Sequence, residues 1–300
     1  MIAATPLAIL QQALAWHEAG QPVVLVTLAD FEGSTARGLG TQMAVTADGR
    51  TIGSFFAGCI EDAIIAEAGD TMAAGAGREV RYGAGSPYID VRLPCGGGIV
   101  LIFTPLRDMD AAMLRGAVAD LEARRPVTLS VSPEGIARGG EGFALHLRPI
   151  LRIMCFGHGE DFIAFVRLAR SFGAQVDAYS PHARDLVLLP DTHLLARLND
   201  APPCMGDDWT ALVFIFHDRD WEDALLPPLL HQRAFYTGAV GSPDNHRLRL
   251  KRMEAAGVDS QALAGLRGPV GLIPATRDPA TLALSILAEV VAAYTRIRPA

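Results

Sequence analysis

From Leu151 onward the chain alternates short apolar runs with amphipathic stretches, and this rhythm limits the fold more than any other feature. Leu151 to Phe156, Gln175 to Tyr179, Ala211 to Phe216 and Ala234 to Val240 read as strands. Asp161 to Phe172, Trp221 to His231 and Pro243 to Ala256 read as helices. Ser242 is placed as an N-cap, with Pro243 at the first helical position. A last helix is expected from about Pro279 to Arg296. A strand that feeds a helix and returns as a parallel strand builds a doubly wound sheet. The fold class is α/β, with this domain expected over residues 149–300.

The first half lacks that rhythm. Pro6 to Ala19 reads as an amphipathic helix ended by Gly20, and Pro22 to Leu28 as a buried strand. Gln42 to Thr46 is a short strand before the hairpin signal Asp48-Gly49. Glu79 to Tyr82, Tyr88 to Leu93 and Ile99 to Phe103 read as strands of one sheet. Asp110 to Arg124 is a helix, followed by strands at Val127 to Val131 and Gly142 to Leu147. The mixture predicts an N-terminal α+β domain over residues 1–148.

Three stretches of that domain carry candidate chemistry. Gly33-Ser34-Thr35-Ala36-Arg37-Gly38-Leu39-Gly40 is a loop whose backbone N–H groups can wrap an anion, with Arg37 as the charged clamp, although such a loop taken alone is more often a flexible surface connection. Gly58-Cys59-Ile60-Glu61-Asp62 opens a helix with Ile60, Ile64, Ile65 and Ala68 as its apolar stripe. The free N–H groups at a helix start favour a thiolate at Cys59, while Glu61 and Asp62 oppose it. Cys95-Gly96-Gly97-Gly98 lies between two strands, where glycines allow a bulky ligand to approach or a sharp turn to form. Either cysteine, read alone, is more often a small buried hydrophobe than a reactive group.

Charge and cysteine usage exclude several classes. The 300 residues carry a formal net charge of -7, which argues against general nucleic-acid binding. Cysteines 59, 95, 155 and 204 form no CxxC pair, so neither a zinc cluster nor a secreted disulfide framework is expected. The N-terminus lacks a basic n-region, and no apolar run reaches the ~18 to 20 residues of a membrane span. A cytoplasmic location follows as the expectation.

The strand before Gly157-His158-Gly159 invites a dinucleotide-binding reading of a Rossmann-like domain. That fingerprint needs G-x-G-x-x-G and an acid about 20 residues further on. Neither register here supplies three glycines, Glu160 stands where pyrophosphate would sit, and the second strand ends at Ser180 rather than an acid. Ordinary NAD(P) binding is therefore not expected, and His158 is equally consistent with a residue facing the crevice and with a satisfied structural histidine.

Taken in order, the motifs are GSTAR, a Met-containing strand with Asp48-Gly49, AGCIEDA, PCGGG and a strand-GxH-helix. His217-Asp218, FYTGAVGSPDNHRLRLKRM and a terminal ALSILAEVVA follow. This series, from about Val24 to Ala292, resembles the xanthine dehydrogenase accessory factor family, XdhC/CoxI. Departures from the family pattern are Ala57 for a glycine, Ala36 for a proline and Ser180 for an acid.

The resemblance implies a maturation factor that binds molybdenum cofactor (molybdopterin) and protects it. The factor would support sulfuration of the cofactor with a cysteine desulfurase and deliver it to a molybdenum hydroxylase apoenzyme. It implies an accessory factor rather than an enzyme, with no catalytic residue assigned. Cofactor contacts are then expected at Gly33, Ser34, Thr35, Arg37, Gly58, Cys59, Glu61, Cys95, Gly96 and Gly97, and at Gly157 and His158. Cys59 and Cys95 would face the molybdenum, and the apolar composition is compatible with a homodimer. Two other classes stay open: an NAD(P)-dependent oxidoreductase, and a hydrolase or sulfur transferase built on Cys59 with His158, His182 or His217 as base.

Overall fold

The structure, a computed structural model, describes residues 4–33, 35, 37–55, 59–86, 97–198 and 206–297. The chain divides into two compact units, one running to Pro149 and the other beginning at Ile150.

The N-terminal unit opens with α1 (Pro6–Glu18), whose N-cap Thr5 accepts the Ala8 N–H at 3.2 Å. β1 (Val23–Glu32), β2 (Gln42–Thr46) and β3 (Thr51–Ile52) follow. α2 (Cys59–Ala74) leads to β4 (Arg78–Gly83) and β5 (Gly98–Pro105). These five strands pair antiparallel in the order β3-β2-β1-β5-β4. α3 (Asp108–Glu122) precedes β6 (Val127–Ser132), β7 (Gly135–Ala137) and β8 (Phe143–Leu147), a second antiparallel sheet in the order β7-β6-β8.

Both faces of the five-stranded sheet are covered. That is why β1 and β2 carry unbroken apolar runs instead of a polar-apolar alternation. On one face Val24, Val26, Leu28, Met43 and Val45 pack with Ile60, Ile64 and Ala68 of α2. On the other, Val23, Leu25 and Ala44 join residues of α1, α3 and the second sheet. The register puts the ends of β1, β3 and β4 and the starts of β2 and β5 at the same end of the sheet.

The C-terminal unit contains β9 (Arg152–Gly157), α4 (Gly159–Phe172), β10 (Gln175–Ser180), α5 (Ala183–Leu188), β11 (Thr192–Leu194) and β12 (Thr210–Ile215). It continues with α6 (Arg219–Leu230), β13 (Tyr236–Ala239), α7 (Pro243–Ala255), α8 (Ser260–Gly265), β14 (Leu266–Arg267) and α9 (Pro279–Thr295). All six strands are parallel, in the order β11-β10-β9-β12-β13-β14. The chain starts at β9, winds outward through β10 and β11, then crosses to β12 and winds the other way. Strand order reverses there, which opens a crevice at the C-terminal ends of β9, β10 and β12. Phe162, Phe165 and Val166 of α4 and Ile286 and Val290 of α9 fill one side of the sheet. Leu225, Leu226 and Leu229 of α6 and Met253 of α7 fill the other.

Helix starts differ from the sequence reading where side chains cap them. α3 starts at Asp108, because the Asp110 carboxylate accepts the Arg107 N–H at 3.1 Å and Arg107 Nε at 2.9 Å. α6 starts at Arg219, because Asp218 accepts the Asp220 N–H at 2.9 Å. The expected strand Tyr88 to Leu93 lies outside the described residues. Among the described residues no helix is long and apolar enough to cross a membrane.

Candidate functional site

Loops singled out in the sequence gather at one end of the N-terminal sheet. Gly33 follows β1 and Gly97 precedes β5, whose ladder pairs Glu32 with Gly98. A Cβ on Gly97 would run into the Glu32 carbonyl oxygen, and one on Gly33 would lie 3.6 Å from the Gly97 Cα. The close approach requires glycine at position 97, whereas position 33 favours glycine through its left-handed backbone, φ +84°. Arg81 of β4 braces the same turn. Its Nε donates to the Ala84 carbonyl at 2.7 Å and its Nη2 to Glu32 Oε2 at 2.5 Å. The sequence reading missed Arg81, since a charged residue in a strand marks a solvated face and nothing more.

Thr35 Oγ1 accepts the Arg37 N–H at 3.2 Å and folds the loop back on itself. Arg37 Nε donates to the Phe55 carbonyl at 3.1 Å, which ties the loop to the segment entering α2. Its two Nη groups have no partner among the described residues. Ser54 Oγ, also missed by the sequence reading, donates to the Glu61 carboxylate across that segment. Gly33, Thr35, Arg37, Glu61 and Gly97 therefore share this end of the sheet. Ser34, Gly58, Cys95 and Gly96 lie outside the described residues, and Cys59 is described only as the first residue of α2. An arginine whose Nη groups have no partner among the described residues, at the same end of the sheet as Gly33 and Gly97, is suited to an anion.

The second group of candidates lies at the crevice of the C-terminal unit. A Cβ on Gly157 would run into the Ile215 carbonyl oxygen, so this glycine is required by the close approach of β9 to β12. His158 precedes α4, its ring centroid 4.4 Å from that of His182 and 5.9 Å from that of Phe216. Burial first, then the nearby His182, holds the His158 pKa below the usual histidine value. His217 Nε2 lies 3.0 Å from Asp161 Oδ2.

Behind these imidazoles, buried Ser180 donates its Oγ to Asp185 Oδ2 at 2.7 Å. The same carboxylate oxygen accepts the Gly159 N–H at 3.2 Å. Asp177, the acid inside β10, is paired with Arg152 at 2.6 Å. Asp185 sits on a six-residue helix, too short for a periodic signal, so no sequence feature announced it. Cys155 is fully buried, and burial pushes its thiol pKa well up, which makes it inert. Among the described residues no group of three or more His, Cys, Asp or Glu is placed to hold a metal ion.

Residues 16–83 match the XdhC and CoxI family, and residues 153–290 match the XdhC Rossmann domain. Over 282 residues the chain is 36% identical to the molybdenum cofactor insertion chaperone PaoD of Escherichia coli (strain K12). That alignment covers 90% of this chain and 83% of PaoD. The chain belongs to the XdhC and CoxI family. This XdhC/CoxI chain is also 26% identical over 290 residues to the uncharacterized protein YqeB of the same strain, spanning 94% of itself and 46% of YqeB. A crystal structure described as a xanthine dehydrogenase (BH1974) from Bacillus halodurans shares its fold, with a TM-score of 0.80, 96% coverage of both chains and 19% identity. An N-terminal domain followed by a Rossmann domain is thus the architecture of this XdhC/CoxI chain.

Proposed function

We propose that the chain is a maturation factor that binds molybdenum cofactor and inserts it into a molybdenum hydroxylase of the xanthine dehydrogenase kind. In this reading it shields the cofactor, supports its sulfuration with a cysteine desulfurase, and acts in the cytoplasm as an accessory factor. The observation that carries the reading is the gathering of Gly33, Thr35, Arg37, Glu61 and Gly97 at one end of the N-terminal sheet. Similarity to a protein described as a molybdenum cofactor insertion chaperone supports it.

The residues present fit such a group. The open Nη edge of Arg37, with Ser34 and Thr35, would hold a phosphate. Gly33, Gly58 and Gly96 would let a ring system approach the backbone closely, while Gly97 packs the turn against the Glu32 carbonyl. Cys59, Glu61 and Cys95 would face the metal end. When bound, the cofactor supplies a thiophilic, oxygen-binding metal centre. The chain's own residues hold, orient and shield it.

Iodoacetamide labelling with peptide mapping tests this site. Cys59 is expected to react in the cofactor-free protein and to be protected by bound cofactor, while buried Cys155 stays unlabelled as an internal control. Cys59→Ser should fold but bind cofactor, or activate a client hydroxylase, poorly. An unlabelled Cys59 in the native cofactor-free protein, together with a fully competent Cys59→Ser variant, would remove this residue from the mechanism. Mass spectrometry of ligand released from freshly purified protein tests the wider reading. Repeated absence of any pterin from protein made in cofactor-producing cells would sink it.

A further inference from the structure

We propose that Asp185 determines what the C-terminal crevice rejects: it fills the phosphate subsite with the chain's own carboxylate and so excludes nucleoside diphosphates. In a doubly wound sheet the ligand's phosphates sit on the first amides of the helix after the first strand. Here that helix is α4, and its first amide, Gly159 N–H, already donates to Asp185 Oδ2 at 3.2 Å. The carboxylate is locked in place from behind. Ser180 Oγ donates to the same oxygen at 2.7 Å and accepts the His182 N–H at 3.1 Å, and the Asp185 N–H donates to the His182 carbonyl at 3.0 Å. Asp185 and Ser180 are both buried, so this is an internal arrangement and not a surface contact.

A carboxylate there takes up the positive end of the α4 dipole, which would otherwise favour a ligand phosphate. Glu160 and Asp161, in the first turn of α4, add like charge against a diphosphate. The serine that ends β10 thus has a positive role. It replaces a ribose-binding acid and orients the carboxylate that closes the adjacent seat. The inference concerns the C-terminal unit and stands or falls separately from cofactor binding by the N-terminal unit.

Calorimetric titration of the full chain with ADP, NAD and NADP tests it. The native protein should give no saturable isotherm up to roughly 1 mM ligand, a concentration that marks very weak binding. Asp185→Ser, which empties the seat, should bind ADP at least about tenfold more tightly than the native limit. Asp185→Asn, which keeps the shape and removes the charge, should show a smaller gain in the same direction. Thermal melting establishes that each variant is folded, and if Asp185→Ser is not, the asparagine variant alone decides. Micromolar affinity of the native chain for any of the three ligands overturns the proposal. So does a folded variant that gains no ADP affinity.

Discussion

Glu222→Leu is expected to destabilise the C-terminal unit by about 3 to 5 kcal/mol. Glu222 of α6 and Arg249 of α7 are buried together, their side chains 6% and 3% exposed. Arg249 donates to Glu222 twice, Nη2 to Oε1 at 2.6 Å and Nε to Oε2 at 3.1 Å. Its Nη2 also donates to the Val240 carbonyl at 2.6 Å, so the pair joins two helices to the chain just after β13. Desolvating two charges nearly cancels their attraction, so the intact pair adds little net stability. The large effect comes from stranding one partner. A guanidinium keeps its proton inside a protein, so Glu222→Leu leaves a cation in the core. Arg249→Met should cost less, because Glu222 retains Arg252 Nη2 at 3.4 Å and is able to take up a proton. The double variant should recover most of the loss. Urea unfolding of all four proteins measures the coupling. Strictly additive single losses would show that the pair does not act as a unit.

Elements with a clear apolar stripe or run were legible in the sequence, and those without one were not. Ile60, Ile64 and Ala68 marked the buried stripe of α2, and the runs at Leu151 to Phe156 and Ala211 to Phe216 marked β9 and β12. β7, α5, β11, α8 and β14 contain two to six residues each, too few for periodicity to be visible. The site was legible as residue types and not as geometry. Gly33 and Gly97 announce close backbone approach separately, but their mutual contact depends on the pairing of β1 with β5. The discounted dinucleotide fingerprint shows the same division. Glu160 and Ser180 could be read directly, whereas the carboxylate on the Gly159 amide comes from α5, a segment with no motif.

Arg37→Ala is expected to lower retention of molybdenum cofactor at least about tenfold, the loss of one charge-assisted hydrogen bond to an anion. The structure divides the side chain into two functions. Nε holds the Phe55 carbonyl at 3.1 Å, and both Nη groups remain without a partner among the described residues. The alanine variant removes both functions, so it should also lose about 0.5 to 1.5 kcal/mol of stability from the missing backbone contact. Arg37→Gln separates them. A glutamine amide is able to donate to the Phe55 carbonyl but carries no charge, so stability should return towards native while cofactor retention stays low. Arg37→Lys keeps the charge without the planar fork and should retain an intermediate amount. Fluorescence of oxidised pterin released per mole of protein, set beside thermal melts of the same samples, reads both quantities. If glutamine restores stability and retention together, Arg37 acts only as a strut for the segment before α2, and the phosphate must be held elsewhere.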